Sequence, residues 1–249
     1  MDTHRRYLYL KAMGVQLWQR RTPGSGTAPT AGEAASVSAV ATPTRQEALA
    51  NPEVASMDWD ALRASVARCR ACALCETRTQ TVFGVGHRHA DLMLIGEAPG
   101  ADEDRAGEPF VGRAGQLLNL MLQAIGLHRE EVFIANILKC RPPGNRDPQP
   151  EEARQCEPYL LRQVALLAPR AILALGRVSA QSLLRTDAPL SRLRGRWHRF
   201  GDTGVPLYVT YHPAYLLRTP EQKAAAWRDL VEVLKRLRQA GDAAPRTEA

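Results

Sequence analysis

The residues of this chain with the types and spacing to do chemistry are its cysteines, one histidine, and polar groups that stand where apolar runs end. Cys69-Arg-Ala-Cys72-Ala-Leu-Cys75 brings three thiols together, and Cys140 and Cys156 supply two more from a later stretch. This spacing is a poor match to ordinary buried cysteines and a good match to metal ligation. Four-cysteine zinc sites and iron–sulfur clusters both use the C-x2-C element, so spacing alone leaves zinc and iron open. His212 sits past the apolar run PLYVTY and before Pro213. A lone histidine is more often a satisfied core residue, but a position just beyond a strand favours a pocket. Asn136 closes the run VFIAN. It suits a turn or a sheet edge, and its amide also offers a ligand both donor and acceptor. Glu97, within Gly96-Glu97-Ala98-Pro99-Gly100, is a loop carboxylate of the kind that caps a helix, holds a pocket or orients water.

The elements that must position these groups are legible as alternating patterns. Asp58 is an N-cap for a helix running through Leu62 and Val66 toward Cys69. Beyond it, DLMLIG, GQLLNLMLQAIG, VFIANILKC, EEARQCEPYLLRQVALL and AILALG alternate short apolar strands with amphipathic helices. A last strand, PLYVTYHP, precedes a closing helix from Glu221 to about Arg238. Fully apolar strands between helices predict an α/β fold, a three-layer sandwich whose mainly parallel central sheet is flanked by helices. In such sheets, ligand sites gather at the carboxyl ends of strands. The loops at Gly96, Asn136 and His212 are therefore expected to converge.

The chain has 249 residues, enough for one substantial core, and its sequence divides accordingly. Residues 1–21 form a short amphipathic segment; residues 22–57 are rich in Ala, Pro, Ser and Thr and read as a flexible linker; residues 58–240 form one domain; residues 241–249 read as a disordered tail. The stretch MDTHRRYLYLKAMGVQLWQRR is interrupted by charge and lacks the apolar run of a signal peptide or membrane span. The expected location is the cytoplasm, with no membrane partner, and there cysteines stay reduced and disulfides are not expected. A formal charge of +7 favours a polyanionic partner. Arg185, Arg192, Arg194, Arg196 and Arg199 crowd one segment with Trp197 and His198, a candidate phosphate-tracking edge.

Gly96-Glu97-Ala98-Pro99-Gly100 alone is a strand-to-helix turn, but it is followed in order by PFVGRAGQLL, NILKCRPPGNRDPQPEEARQC and HPAYLL. Together these motifs resemble the family 4 uracil-DNA glycosylases, the thermostable-type iron–sulfur branch of that superfamily. The resemblance spans about Cys69 to Pro220. It implies an enzyme of base excision repair that flips uracil out of uracil-containing DNA and hydrolyses its N-glycosidic bond. It also implies a 4Fe-4S cluster on Cys69, Cys72, Cys140 and Cys156, structural and not redox-active, with Cys75 spare.

The resemblance assigns roles to residues. His212 would stabilise the charge developing on uracil O2 as the bond breaks, by the logic of an oxyanion hole. Asn136 would read uracil O4 and N3–H, a pattern that cytosine reverses. Phe110 in EPFVG would stack on the flipped base, with Gly96 and Ala98 lining the pocket. In the best-known branch an Asp at the position of Ala98 orients the attacking water; that carboxylate is missing, which leaves backbone groups and Glu97 for the task. The same branch carries an aromatic residue at the position of Gly100 to block the thymine methyl, so thymine exclusion must come from elsewhere. Beyond His212, Leu216, Leu217 and Arg218 are candidates for a wedge that fills the gap left by the flipped base.

Two rivals use part of the same features. A non-catalytic iron–sulfur or zinc nucleic-acid-binding module would share the charge and the cysteines. A zinc-dependent base deaminase would also flip bases, but no convincing H-x-E with P-C-x-x-C arrangement is present. Tyr7, Leu10, Met13, Leu17 and Trp18 fall on one side of an N-terminal helix broken by Gly14. That segment either docks on the domain or binds a replication or repair protein. A linker of this length spans about 30–36 Å as a coil, which suits a tether.

Overall fold

A computed structural model describes residues 52–241 together with residues 11 and 14. The amphipathic segment, most of the linker and the tail lie outside the described residues. Helix α1 (Pro52–Ser56) falls inside the stretch read as linker, and its Val54 is buried against the domain. The linker must therefore end before Pro52. Composition hid this helix because one apolar side chain anchors it. Asp58 caps α2 (Trp59–Arg68) as expected, its Oδ1 accepting from the N–H groups of Asp60 and Ala61 at 3.1 and 2.8 Å.

A short helix α3 (Leu74–Thr77) leads to the sheet, whose strands are β1 (Val85–Gly86), β2 (Leu92–Gly96), β3 (Phe133–Asn136), β4 (Ala171–Leu175), β5 (Trp197–Phe200) and β6 (Val205–Thr210). Their spatial order is β1-β3-β2-β4-β6-β5. The four inner strands are parallel, and β1 and β5 close the edges antiparallel. Every residue of β2, β3 and β4 is buried, because helices cover both faces.

Side chains alternate between two cores, as the period of a strand requires. Met93 and Ile95 face α2, α6 (Pro150–Leu167) and α7 (Arg177–Leu184), through Leu62, Leu160 and Leu183. Leu92 and Leu94 face α5 (Arg113–Ala124) and α10 (Lys223–Gly241), through Leu118, Leu122 and Leu230. Three shorter helices, α4 (Ala101–Ala106), α8 (Leu190–Leu193) and α9 (Pro213–Arg218), finish loops at or near the carboxyl ends of strands. No helix among the described residues is long and apolar enough to cross a membrane.

The arginine-rich segment is only partly a free edge. Arg185 pairs with Glu157 at 3.1 Å, and Arg194 pairs with the buried Asp229 at 2.8 Å. Arg192, Arg196 and Arg199 remain exposed. The Trp197 ring packs on Tyr208 and beneath Arg236, so it is structural.

Candidate active site

The ends of β2 and β3 lie side by side, with Gly96 and Asn136 in register. A Cβ on Gly96 would come within 2.4 Å of Asn136 Oδ1 and 2.7 Å of Phe110 Cζ. Only glycine lets the amide and the ring meet there. The ring of Phe110 lies 5.6 Å from that of His212, centroid to centroid. Just past β4, Gly176 at φ +92° makes room for His212, whose Cβ a side chain would meet at 2.8 Å. Three loops therefore bring Gly96, Asn136, Phe110 and His212 to one point at the carboxyl end of the sheet.

Those loops are pinned to one another. Glu103 on α4 accepts from the N–H of Gly100 at 3.1 Å with one carboxylate oxygen, and from Val111 and Gly112 at 3.0 and 3.1 Å with the other. Phe110 has φ 55°, an uncommon conformation for a residue with a side chain. It is held by Arg129, which donates to the carbonyls of Pro109 and Phe110. Gly115 lies so close that a Cβ there would be 1.8 Å from the Phe110 carbonyl.

His212 caps α9, its Nδ1 accepting from the Ala214 N–H at 3.1 Å. Nδ1 is thus the acceptor, and a neutral ring carries its proton on Nε2. Burial, aided by Arg218, pushes the pKa of this histidine down to about 4, so the ring is neutral near pH 7. Its strand is anchored from behind, where the buried Asp229 accepts from Thr210 Oγ1 at 2.7 Å and from Arg194. Glu97 is pushed up to about 7 by burial and by Asp147, against the pull of Arg177.

A cavity of about 480 Å³ opens over this point, lined by Glu97, Ala98, Phe110, Asn136, His212 and Arg218, among others. It also takes in Glu103, Asp147 and Tyr215, which the sequence did not single out. Asn136 Oδ1 is buried with no hydrogen-bond partner, beside Gly96 and the Phe110 ring, an acceptor without a protein donor. One wedge residue is corrected: Leu216 is fully buried in the core against α5 and α10, because α9 turns it inward. Leu217 and Arg218 are exposed. A larger groove, about 690 Å³, lies on the other side of Asp147. Its Arg154, Arg177 and Arg185 are each ion-paired, so it presents little uncompensated charge.

Cys69, Cys72, Cys75, Cys140 and Cys156 all line one small cavity with Arg78, Lys139 and Tyr159, and none is in a disulfide. Among the described residues, no group of three or more His, Cys, Asp or Glu is placed to hold a lone metal ion. Two sulfurs already accept hydrogen bonds: Cys140 Sγ from Arg78 at 3.0 Å, and Cys156 Sγ from the Lys139 N–H at 3.2 Å. Burial pushes the Cys156 thiol up to about 12, against the pull of Lys139.

Residues 83–231 match the profile of the Uracil DNA glycosylase superfamily. The type-4 uracil-DNA glycosylase of Archaeoglobus fulgidus is 47% identical over 159 residues, covering 61% of this chain and 80% of that protein. That of Pyrobaculum aerophilum is 43% identical over 180 residues, covering 70% and 92%. This chain belongs to the type-4 uracil-DNA glycosylase family. A more distant match is to a DNA polymerase of Bacillus phage SP01, 27% identical over 163 residues, covering 65% of this chain and 17% of that protein.

The superfamily match takes in Phe110, Asn136 and His212, but Cys69, Cys72 and Cys75 precede it. Glu103 and Arg129, which the sequence did not single out, act by fixing loops. Glu103 did carry a signal: it stands three residues after Gly100, where a carboxylate reaches back to cap a helix.

Proposed function

We propose that this chain flips uracil out of DNA and hydrolyses its N-glycosidic bond, as the first step of base excision repair. The observation that carries this proposal is the meeting of Asn136, Phe110 and His212 at Gly96. The flipped base stacks on the Phe110 ring. Asn136 Oδ1, lacking any protein donor, accepts from uracil N3–H, and the amide NH2 donates to O4. Cytosine presents a bare N3 and an amino group to the same pair and is refused.

As the N1–C1′ bond breaks, its electron pair leaves with uracil and negative charge gathers on O2. His212 meets that charge with the Nε2–H of a neutral ring, held in this tautomer by the Ala214 N–H on Nδ1. A water oxygen then bonds to C1′ and releases its proton, for which ionised Glu97 is the acceptor in the pocket. Ala98 supplies no carboxylate, so departure of the base dominates the barrier.

Cys69, Cys72, Cys140 and Cys156 would hold a 4Fe-4S cluster, with Cys75 spare. The donor set supports this, being all sulfur around one cavity with N–H groups already directed at two sulfurs. When bound, the cluster supplies a cross-link between the end of α2, the loop after β3, and α6. The location that suits these reduced thiols and this substrate is the cytoplasm.

The N-terminal segment is proposed to bind a replication or repair protein. Removing residues 1–50, short of α1, should leave uracil release from short naked oligonucleotides unchanged and abolish co-purification of the partner. A truncated enzyme slower on naked DNA, with no partner lost, would assign the segment to the fold.

The function itself is tested by incubating the anaerobically prepared protein with a uracil-containing oligonucleotide. Free uracil and an abasic site are expected. An intact strand would favour a binding module, and a converted base still attached to its sugar would favour a deaminase.

A further inference from the structure

Lys139 stands between the cysteine cavity and the end of β3, and it is almost completely buried, at 1% exposure. Its backbone N–H donates to Cys156 Sγ at 3.2 Å. Its side chain turns the other way, and Nζ donates to the carbonyl of Asn136 at 2.9 Å and to Gln163 Oε1 at 2.7 Å. Gln163, also buried, is fixed in turn by donating from Nε2 to the Phe83 carbonyl at 2.8 Å.

A buried ammonium is costly unless hydrogen-bonded and compensated by negative charge. Both acceptors here are neutral. No carboxylate lies in an ion pair with Lys139 among the described residues; the sulfur that its backbone meets is that of Cys156, and Cys140 is the next residue in the chain. Those two are proposed ligands of the cluster. Four thiolates around an iron–sulfur core leave a net negative charge, which is the compensation the ammonium lacks.

The same ammonium grips the carbonyl of Asn136 where the chain leaves β3. Since Asn136 Oδ1 has no partner of its own, the aim of the amide is set by its backbone. That backbone is held on one side by the pairing with β2 and at its carbonyl by Lys139.

We propose that Lys139 is a positioning residue that ties the charge in the cysteine cavity to the uracil-reading geometry of Asn136. This rests on the glycosylase and cluster assignments above. The cluster need exchange no electron: its charge holds the lysine, and the lysine holds the reader.

The test compares wild-type holoenzyme with Lys139→Met, which keeps the apolar stem and removes the charge, and with Gln163→Met, which keeps the charge and removes one acceptor. Two readouts other than turnover are used: the reduction potential of the cluster and the affinity for free uracil. Lys139→Met should lower the potential, since a cation near the cluster is gone, and weaken uracil binding by about tenfold, the scale of one lost charge-assisted hydrogen bond. Gln163→Met should leave the potential in place and weaken uracil binding by a smaller factor. An unchanged potential or an unchanged uracil affinity in folded, iron-loaded Lys139→Met overturns the proposal. If that variant does not fold, Gln163→Met decides: undiminished uracil affinity overturns it. Wild-type protein without iron, or blind to uracil, would instead defeat the assignments beneath it, and would do so before any variant is made.

Discussion

The rings of Phe110 and His212 stand 5.6 Å apart with planes inclined by 33°, although they come from loops a hundred residues distant in sequence. Each is fixed by backbone contacts. Phe110 is held at φ 55° by Arg129 and by the close approach of Gly115; His212 is held through the Ala214 N–H. The ring proposed to stack on the base and the donor proposed for its departure are therefore both held in place by the fold. Catalysis by electrostatic stabilisation requires such preorganisation.

Glu103 is expected to exclude thymine. Its carboxylate, bound by three N–H groups, lies where a side chain on Gly100 would otherwise stand, 2.7 Å from a Cβ built there. Glu103→Ala should open that wall and make thymine release from T·G mispairs measurable, while Glu103→Gln, which keeps the shape, should not. The gain is expected to be about 10–200-fold, the range within which a pocket discriminates one methylene-sized group. A folded Glu103→Ala enzyme still active on uracil and still inert toward thymine would place the barrier elsewhere.

Glu97 gives the reaction a pH signature. With its carboxyl pushed up to about 7, it is mainly protonated at pH 6 and mainly ionised at pH 8. The ionised form is the one that accepts a proton from water. The single-turnover rate should therefore rise through pH 7 and level off above it, and Glu97→Gln should remove that inflection. His212 adds none in this window, since its pKa is depressed to about 4. Superimposable profiles for the wild type and Glu97→Gln would remove Glu97 from the chemistry.

Adjacent leucines on α9 should behave differently. Leu216→Ala leaves a cavity in the core and should cost about 2–5 kcal/mol of stability, read by denaturant melts. Leu217→Ala should leave stability nearly unchanged and reduce flipping, seen with a fluorescent base beside the uracil. Reduced flipping with Leu216→Ala at unchanged stability would restore the wedge role to that residue.

Much of this was legible in the sequence because strand ends and motifs announce themselves. The apolar runs ending at Gly96, Asn136 and Thr210 predicted the convergence of loops, and Asp58 marked its helix. Leu216 was misplaced because nothing in sequence separates it from the exposed Leu217 beside it, and the inward turn of α9 depends on packing against α5 and α10. Arg194 looked like a free cation because its partner, Asp229, is 35 residues away. Arg129 acts on the carbonyls of a distant loop, and the bonds of Glu103 to Val111 and Gly112 and of Lys139 to Gln163 are likewise non-local, so no local pattern encodes them.

The cysteines separate by substitution. Cys75→Ser should retain iron and sulfide, whereas Cys69→Ser and Cys156→Ser should lose them with much of the stability, as judged by elemental analysis and visible absorbance. Iron lost only from Cys75→Ser would overturn the proposed set of ligands.

The central claim, that a neutral His212 stabilises the departing uracil, is tested most directly by single-turnover release of free uracil from a uracil-containing oligonucleotide, comparing wild type with His212→Ala at saturating enzyme. The rate should fall by about 10²–10³-fold, the scale of one lost oxyanion-hole donor, while affinity for the oligonucleotide stays nearly intact. An undiminished rate, or a loss explained wholly by weaker DNA binding, would contradict it.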